Sequence, residues 1–163
     1  MPKLSIIAAI AAHNAIGNNN QLLCHISEDL QRFKQLTLQH SVIMGRNTFL
    51  SLPKGALPKR KNIVVTTQSL QFSGCLVAHS LEEALQLCKE EEEIFIIGGS
   101  SLYHQTINQA DKLYLTIIYA PFEADAFFPT LDPAQWHTTF SEDHPETDVN
   151  PYHFSFINYE RNN

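Results

Sequence analysis

The chain has 163 residues, 44% hydrophobic and 17% charged, a composition that excludes a disordered polymer and allows one substantial core without staples. Its net charge of −6 argues against nucleic acid as a general partner, since duplex binding requires many phosphates to be neutralised. The three cysteines, Cys24, Cys75 and Cys88, form no C-x-x-C pair, and the eight histidines show no ligand spacing; no metal or disulfide framework is expected, and a reducing compartment is favoured.

Taken in order, the first apolar run is Leu4 to Ala12, with small residues at its end in the manner of a short signal peptide. It lies at the short limit for such a segment and far below the roughly 20 residues of a membrane span, so the expectation is a buried strand in a cytoplasmic protein that meets no membrane. Runs rich in Ile and Val recur at Ser41 to Met44, Asn62 to Thr67, Leu76 to Ala78, Glu93 to Ile97 and Lys112 to Tyr119. Several are apolar on both faces, the mark of central strands covered on either side. Between them, helical segments are expected over Ser27 to Leu36, from near Arg46, over Leu81 to Lys89 and over Ser101 to Ile107. Ser80 and Glu83 form a capping box that places the start of the third. Trp136 to Asp143 and Tyr152 to Tyr159 read as an antiparallel edge hairpin. The pattern predicts an α/β chain, one domain over residues 1–163, with a central, mostly parallel twisted sheet flanked by helices and a C-terminal antiparallel hairpin.

Within the first helical segment, Ile26, Leu30, Phe33 and Thr37 fall within roughly 40° of one another, while Glu28, Gln31, Arg32 and Gln35 take the other face. Asp29 sits about 60° from Ile26, at the edge of the inward stripe. As a helix-start acid behind a Ser27 cap it would be worth about 0.3 to 1 kcal/mol. As an inward carboxylate it would need donors, which a ligand with paired N–H groups supplies. Seven of the eleven basic residues (Arg32, Lys34, Arg46, Lys54, Lys59, Arg60 and Lys61) lie within thirty positions, a distribution that suits either small polyanions or a solvated basic face. Three strand ends are anion-receptive: Gly45-Arg46-Asn47-Thr48, Gly98-Gly99-Ser100-Ser101 and Thr66-Thr67. Neither G-x-G-x-x-G nor a Walker pattern occurs.

These residues form part of an ordered set: A-I-G-N-N-N (Ala15 to Asn20), the Asp29 and Phe33 helix, V-I-M-G-R-x-T-F (Val42 to Phe49), L-P-x-R-x-N (Leu57 to Asn62), I-I-G-G (Ile96 to Gly99), L-Y-L-T (Leu113 to Thr116) and A-D-x-F-F-P (Ala124 to Pro129). Over essentially the whole chain the set resembles the bacterial dihydrofolate reductases. The resemblance implies hydride transfer from NADPH to C6 of 7,8-dihydrofolate with a proton delivered to N5, in a monomer that also binds antifolate inhibitors. It implies a catalytic group of Asp29, Thr116 and Leu22, with Asp29 accepting two hydrogen bonds from the pterin. Around the substrate it places Ile7, Ala8, Leu30, Phe33, Lys34, Leu52, Leu57, Ile97 and Tyr103, with Arg60 clasping the glutamate carboxylate. Around the cofactor it places Ala9, Ile16, Gly17, Asn20, Gly45, Arg46, Asn47, Thr48, Thr66, Thr67, His79, Gly98, Gly99, Ser100, Ser101, Leu102 and Tyr103. Of these, Arg46 and Thr67 would bind the 2′-phosphate, and Asn14 to Cys24 would be the closing loop.

Two positions depart from the family pattern. Cys24 replaces the usual tryptophan, and Ser101 stands where many bacterial members carry an arginine near the 2′-phosphate. Two rival readings stand beside the first, a related pyrimidine or pterin reductase on the same fold and a non-catalytic nucleotide-binding module in which Asp29 is only a helix-start charge.

Overall fold

In the computed structural model, which describes residues 2–163, the sheet strands in chain order are β1 (Lys3–Ile10), β3 (Ser41–Gly45), β4 (Lys61–Val65), β5 (Cys75–Ala78), β6 (Glu93–Gly98), β7 (Lys112–Ile118), β9 (Trp136–His144) and β10 (Phe154–Arg161). Two short segments, β2 (Ala15–Gly17) and β8 (Ala126–Phe127), pair apart from the main sheet. The helices are α1 (Ser27–Thr37), α2 (Arg46–Ser51), α3 (Leu81–Gln86) and α4 (Ser100–Thr106). The main sheet runs β5-β4-β3-β6-β1-β7-β10-β9. Its pairings are parallel from β5 to β7 and antiparallel only where β10 joins β7 and β9, as the patterning predicts.

The sequence explains the order. Val42, Ile43, Met44, Ile63, Val64 and Ile96 are all fully buried, so β3, β4 and β6 need cover on both faces and occupy the interior of the sheet. The hairpin strand β9 is exposed along most of its length and takes the edge. Helix α3 starts as read: the Glu83 N–H donates to Ser80 Oγ at 3.1 Å, and the Glu83 carboxylate accepts from the His79 N–H, one residue before the expected partner. It ends earlier than expected, at Gln86. The β2–β8 ladder went unread because two or three residues carry no measurable period. Among the described residues no helix is long and apolar enough to cross a membrane.

Candidate active site

Helix α1 is pinned to the sheet by buried Ile26 at its start and buried Thr37 at its end. Ile26, not Ser27, holds the N-cap position, so the expected serine cap is absent and Ser27 is the first helical residue. One turn along, Asp29 turns toward β7, where the buried Thr116 hydroxyl donates to its Oδ1 at 2.5 Å. Thr116 stands in register with Ala9 of β1 and Phe156 of β10, so the acid lies over the middle of the sheet. Burial raises the Asp29 carboxyl above its ordinary value, against the opposing pull of the Thr116 bond and then of the Arg32 guanidinium. Ala9, Ile16, Leu22, Leu23, Cys24, Ile26 and Ile118 line a cleft with it. Leu22 does so while 69% exposed. Burial, and secondarily the charge of Asp29, raises the Cys24 thiol, which keeps it protonated.

Arg32 corrects the helical-wheel reading. Instead of facing solvent, its guanidinium carbon lies 4.6 Å from the centroid of the Phe156 ring, and Nη2 donates to Asn158 Oδ1. Leu30 is 41% exposed rather than part of an inward stripe. Phe33, Leu52, Leu57 and Ile97 do come together, packed with Ile7 against the core of β3 and β6. At the far end, Thr37 Oγ1 donates to the Phe33 carbonyl at 2.7 Å and accepts from Arg60 Nη1 at 3.1 Å. Arg60 Nε donates to the Pro58 carbonyl at 2.9 Å, and among the described residues no ion pair uses its charge. The loop that presents Arg60 is closed by buried Asn62, which accepts from the Leu57 N–H at 2.8 Å and donates to the carbonyls of Leu57 and Arg60 at 2.9 Å. That is the physical content of L-P-x-R-x-N. Lys34 is exposed.

The second group of residues gathers at the carboxyl ends of β3, β4 and β6. Gly45 and Gly99 hold the N-cap positions of α2 and α4, and a Cβ on Gly45 would stand 3.9 Å from the Gly99 nitrogen. The Gly98–Gly99 peptide is cis. Gly98 has φ +127, and a Cβ on either glycine would approach Thr48 Oγ1 to 3.3 Å, so the backbone is bare where these turns meet. Arg46 and Thr66 are half-buried beside this groove, and Asn47, Thr67, Ser101 and His79 are exposed. His79 Nδ1 lies 2.9 Å from the Thr66 carbonyl, and Ser101 Oγ accepts from Gln105 Nε2 at 2.9 Å. Ser100 Oγ donates to the Phe127 carbonyl at 3.0 Å, and buried Tyr103 donates its hydroxyl to the Ile7 carbonyl at 2.8 Å. The Leu102 side chain is buried in the main core cluster, and the half-buried Ala8 packs against it.

The Asn14 to Cys24 loop is tied to the segment after β7. The Asn19 N–H donates to Asp125 Oδ2 at 3.1 Å, the Asp125 N–H to the Gly17 carbonyl at 3.0 Å, and the Phe128 N–H to the Asn14 carbonyl at 2.8 Å. Asn19 and Asn20 both take left-handed backbone, at φ 52 and 62, in the turn that pairs Asn18 with Gln21. Asp125 and Asn62, both inside sequence motifs without an assigned role, shape the site as props, and Phe156 and Asn158 do so with no periodic or motif signal of their own.

The arrangement thus combines a half-buried acid with one open oxygen, an apolar slot ending in an unpaired guanidinium, and a glycine-walled groove beside a cation. The described residues contain no cluster able to hold a metal. A family model described as dihydrofolate reductase matches residues 3–161. The chain is 44% identical to the dihydrofolate reductase of Bacillus subtilis (strain 168) over 161 residues, covering 98% of this chain and 95% of that one. It is 41% identical over 159 residues to a dihydrofolate reductase type 3 of Salmonella typhimurium, covering 97% and 98% respectively. Among solved structures, dihydrofolate reductase from Enterococcus faecalis, complexed with NADP(H) and RAB-propyl, superposes with a TM-score of 0.91 at 34% identity, covering 99% of this chain and 97% of that one.

Proposed function

The chain belongs to the dihydrofolate reductase family and is an NADPH-dependent oxidoreductase that converts 7,8-dihydrofolate to 5,6,7,8-tetrahydrofolate, and we propose the following division of labour among its residues. NADPH, when bound, supplies the hydride that reaches C6 of the substrate. Asp29 accepts two N–H bonds from the pterin, contacts worth about 1.5 to 3 kcal/mol each because the acceptor is charged. Thr116 donates to Oδ1 of the acid and has a lone pair left to accept from the pterin amino group. With its pKa raised by burial, Asp29 holds a proton closer to neutrality than an exposed carboxyl would, which supports protonation at N5 through a water.

Phe33, Leu30, Leu52 and Leu57 pack the pterin and aryl rings, with Ile7, Ile97 and the Ala8 backbone along the slot. Arg60, held at Nε and Nη1, keeps donors free for the glutamate carboxylate, with Lys34 nearby on α1. Ala9, Ile16, Gly17 and Asn20 would enclose the nicotinamide, and Leu22 would close over the reacting rings. Gly45 to Thr48 and Gly98 to Tyr103 would hold the phosphates in the bare groove. Arg46, Thr66, Thr67 and His79 would take the adenosine end, Arg46 and Thr67 at its 2′-phosphate. The residue set fits within one chain, which supports a monomer acting on small molecules and antifolates, and the unpaired state of Cys24, Cys75 and Cys88 supports a cytoplasmic setting.

One observation carries the assignment: the half-buried Asp29 carboxylate, bonded by Thr116 and facing a lined cleft. The test is loss of NADPH absorbance with and without dihydrofolate. Turnover that requires dihydrofolate is expected; NADPH binding without turnover would leave a nucleotide-binding module instead.

A further inference from the structure

One charged side chain of the site has no task in the reaction as described. Arg32 follows Asp29 by three residues, and side chains three apart on a helix are neighbours, with about 5–6 Å between Cβ atoms. Both overlie one face of the sheet. Thr116, which bonds Asp29, pairs with Phe156 across the β7–β10 ladder, and Asn158 lies two residues further along the same strand and so on the same face. The Arg32 guanidinium is clamped between those two β10 side chains, with the Phe156 ring beneath it and Asn158 Oδ1 accepting from Nη2. An aromatic face and a neutral amide fix the position of a cation without cancelling its charge.

The surrounding groups do not cancel it either. Tyr114 faces Arg32 from β7, but its phenol donates to Glu93 of β6 at 3.0 Å, and burial holds it neutral. Glu142 faces Arg32 from β9 and is exposed, with its Oε1 engaged by His144 at 2.6 Å, so water screens it. Around Asp29 stand Thr116 from β7, the Cys24 thiol from the loop and the buried Tyr103 phenol from α4, all uncharged near neutrality. One helix therefore presents a cation and an acid to the same patch of sheet, with neutral groups between them and only the water-screened Glu142 carboxylate facing the cation.

We propose that Arg32 is a positioning residue whose field sets the pH at which Asp29 exchanges its proton, with Phe156 and Asn158 fixing the distance at which that field acts. The proposal rests on the reading of Asp29 as the pterin-binding acid. A cation beside a carboxylate favours the ionised form, so Arg32 offsets part of what burial does. For unit charges about 6 Å apart in surroundings between bulk water and a protein surface, the offset is about half to two pH units.

The test is a 13C NMR titration of the Asp29 carboxyl in the ligand-free protein, the resonance being assigned by its loss in Asp29→Asn. In Arg32→Met the carboxyl is expected to titrate about half to two units higher, and in Arg32→Lys close to the parent. The alkaline limb of dihydrofolate turnover should move with it. An unchanged Asp29 titration in Arg32→Met overturns the proposal. So does an equal shift in Arg32→Lys, which would make packing, not charge, the cause. If Arg32→Met does not fold, Arg32→Gln keeps a donor for Asn158 and removes the same charge. Should the parent protein show no turnover, the reading of the reaction fails, while the titration still decides the role of Arg32.

Discussion

Replacing Asp29 by asparagine keeps the shape of the side chain and an oxygen for the Thr116 hydroxyl, and removes the charge. The pterin contact at the remaining oxygen then falls from a charge-assisted bond to a neutral one, and the amide NH2 that replaces the other oxygen cannot accept the second pterin N–H, a loss of about 1 to 2 kcal/mol apiece. Together they predict a drop of roughly 30- to 1,000-fold in kcat/KM at neutral pH, with NADPH affinity unchanged. Stability should move the other way. The Asp29 pKa is raised above its ordinary 3.8, so ionising it opposes folding: its contribution is complete below that ordinary value and is lost as pH rises through the folded value. Asp29→Asn should therefore raise the Tm by a few degrees near neutrality and by little in acid. Initial rates with dihydrofolate, cofactor titration by fluorescence and thermal melts across pH measure all three. A fall in kcat/KM below about tenfold, or parallel loss of NADPH binding, would refute the reasoning.

Three further substitutions probe the remaining subsites. Arg60→Leu should raise the KM for dihydrofolate by about 10- to 100-fold and leave a substrate lacking the glutamate tail unaffected, because among the described residues no ion pair uses the Arg60 charge; equal losses for both would place Arg60 elsewhere. Arg46→Leu should lower kcat/KM for NADPH about tenfold or more and leave NADH unchanged, as measured by initial rates with each cofactor. Cys24→Trp puts a large ring into the cleft beside Asp29 and should alter the dihydrofolate KM or inhibition by a trimethoprim-type diaminopyrimidine by about threefold or more; unchanged values for both would show that position 24 does not govern the pocket.

How much of this could be read from the chain depends on which physical signal each residue leaves. Asp29 was visible because a carboxylate breaks a helical stripe, and the parallel sheet was visible because Val42 to Met44 and Ile94 to Ile96 are apolar on both faces. A helical wheel puts Arg32 in solvent because it assumes one packed side. Here β10 rises beside α1, and a long aliphatic stem lets the cation lie on Phe156. Alternation in β1 and the inward phase of α4 pack the Ala8 and Leu102 side chains against the core, an orientation that the motifs alone do not record. Residue type alone makes Ser27 the cap, whereas the position that leaves the extended region last is Ile26. Asn62 and Asp125 lie inside quoted motifs but act across a loop or between elements, so the motif marks the position without its role, and Asn158 is recorded by no local pattern at all.

Asp29 and Thr116 stand 87 positions apart in the chain, one on a helix near the start and the other on a strand near the end. A molecule that grips both fastens together parts that lie far apart along the chain. Any such compound, substrate or drug, works as a temporary rivet: at a hundred times its Kd it adds about 2.7 kcal/mol to the native state. Scarce, easily melted variants of this protein should consequently accumulate in cells supplied with a non-covalent inhibitor, a rescue that a compound confined to the glycine-walled groove would reproduce without ever touching the acid.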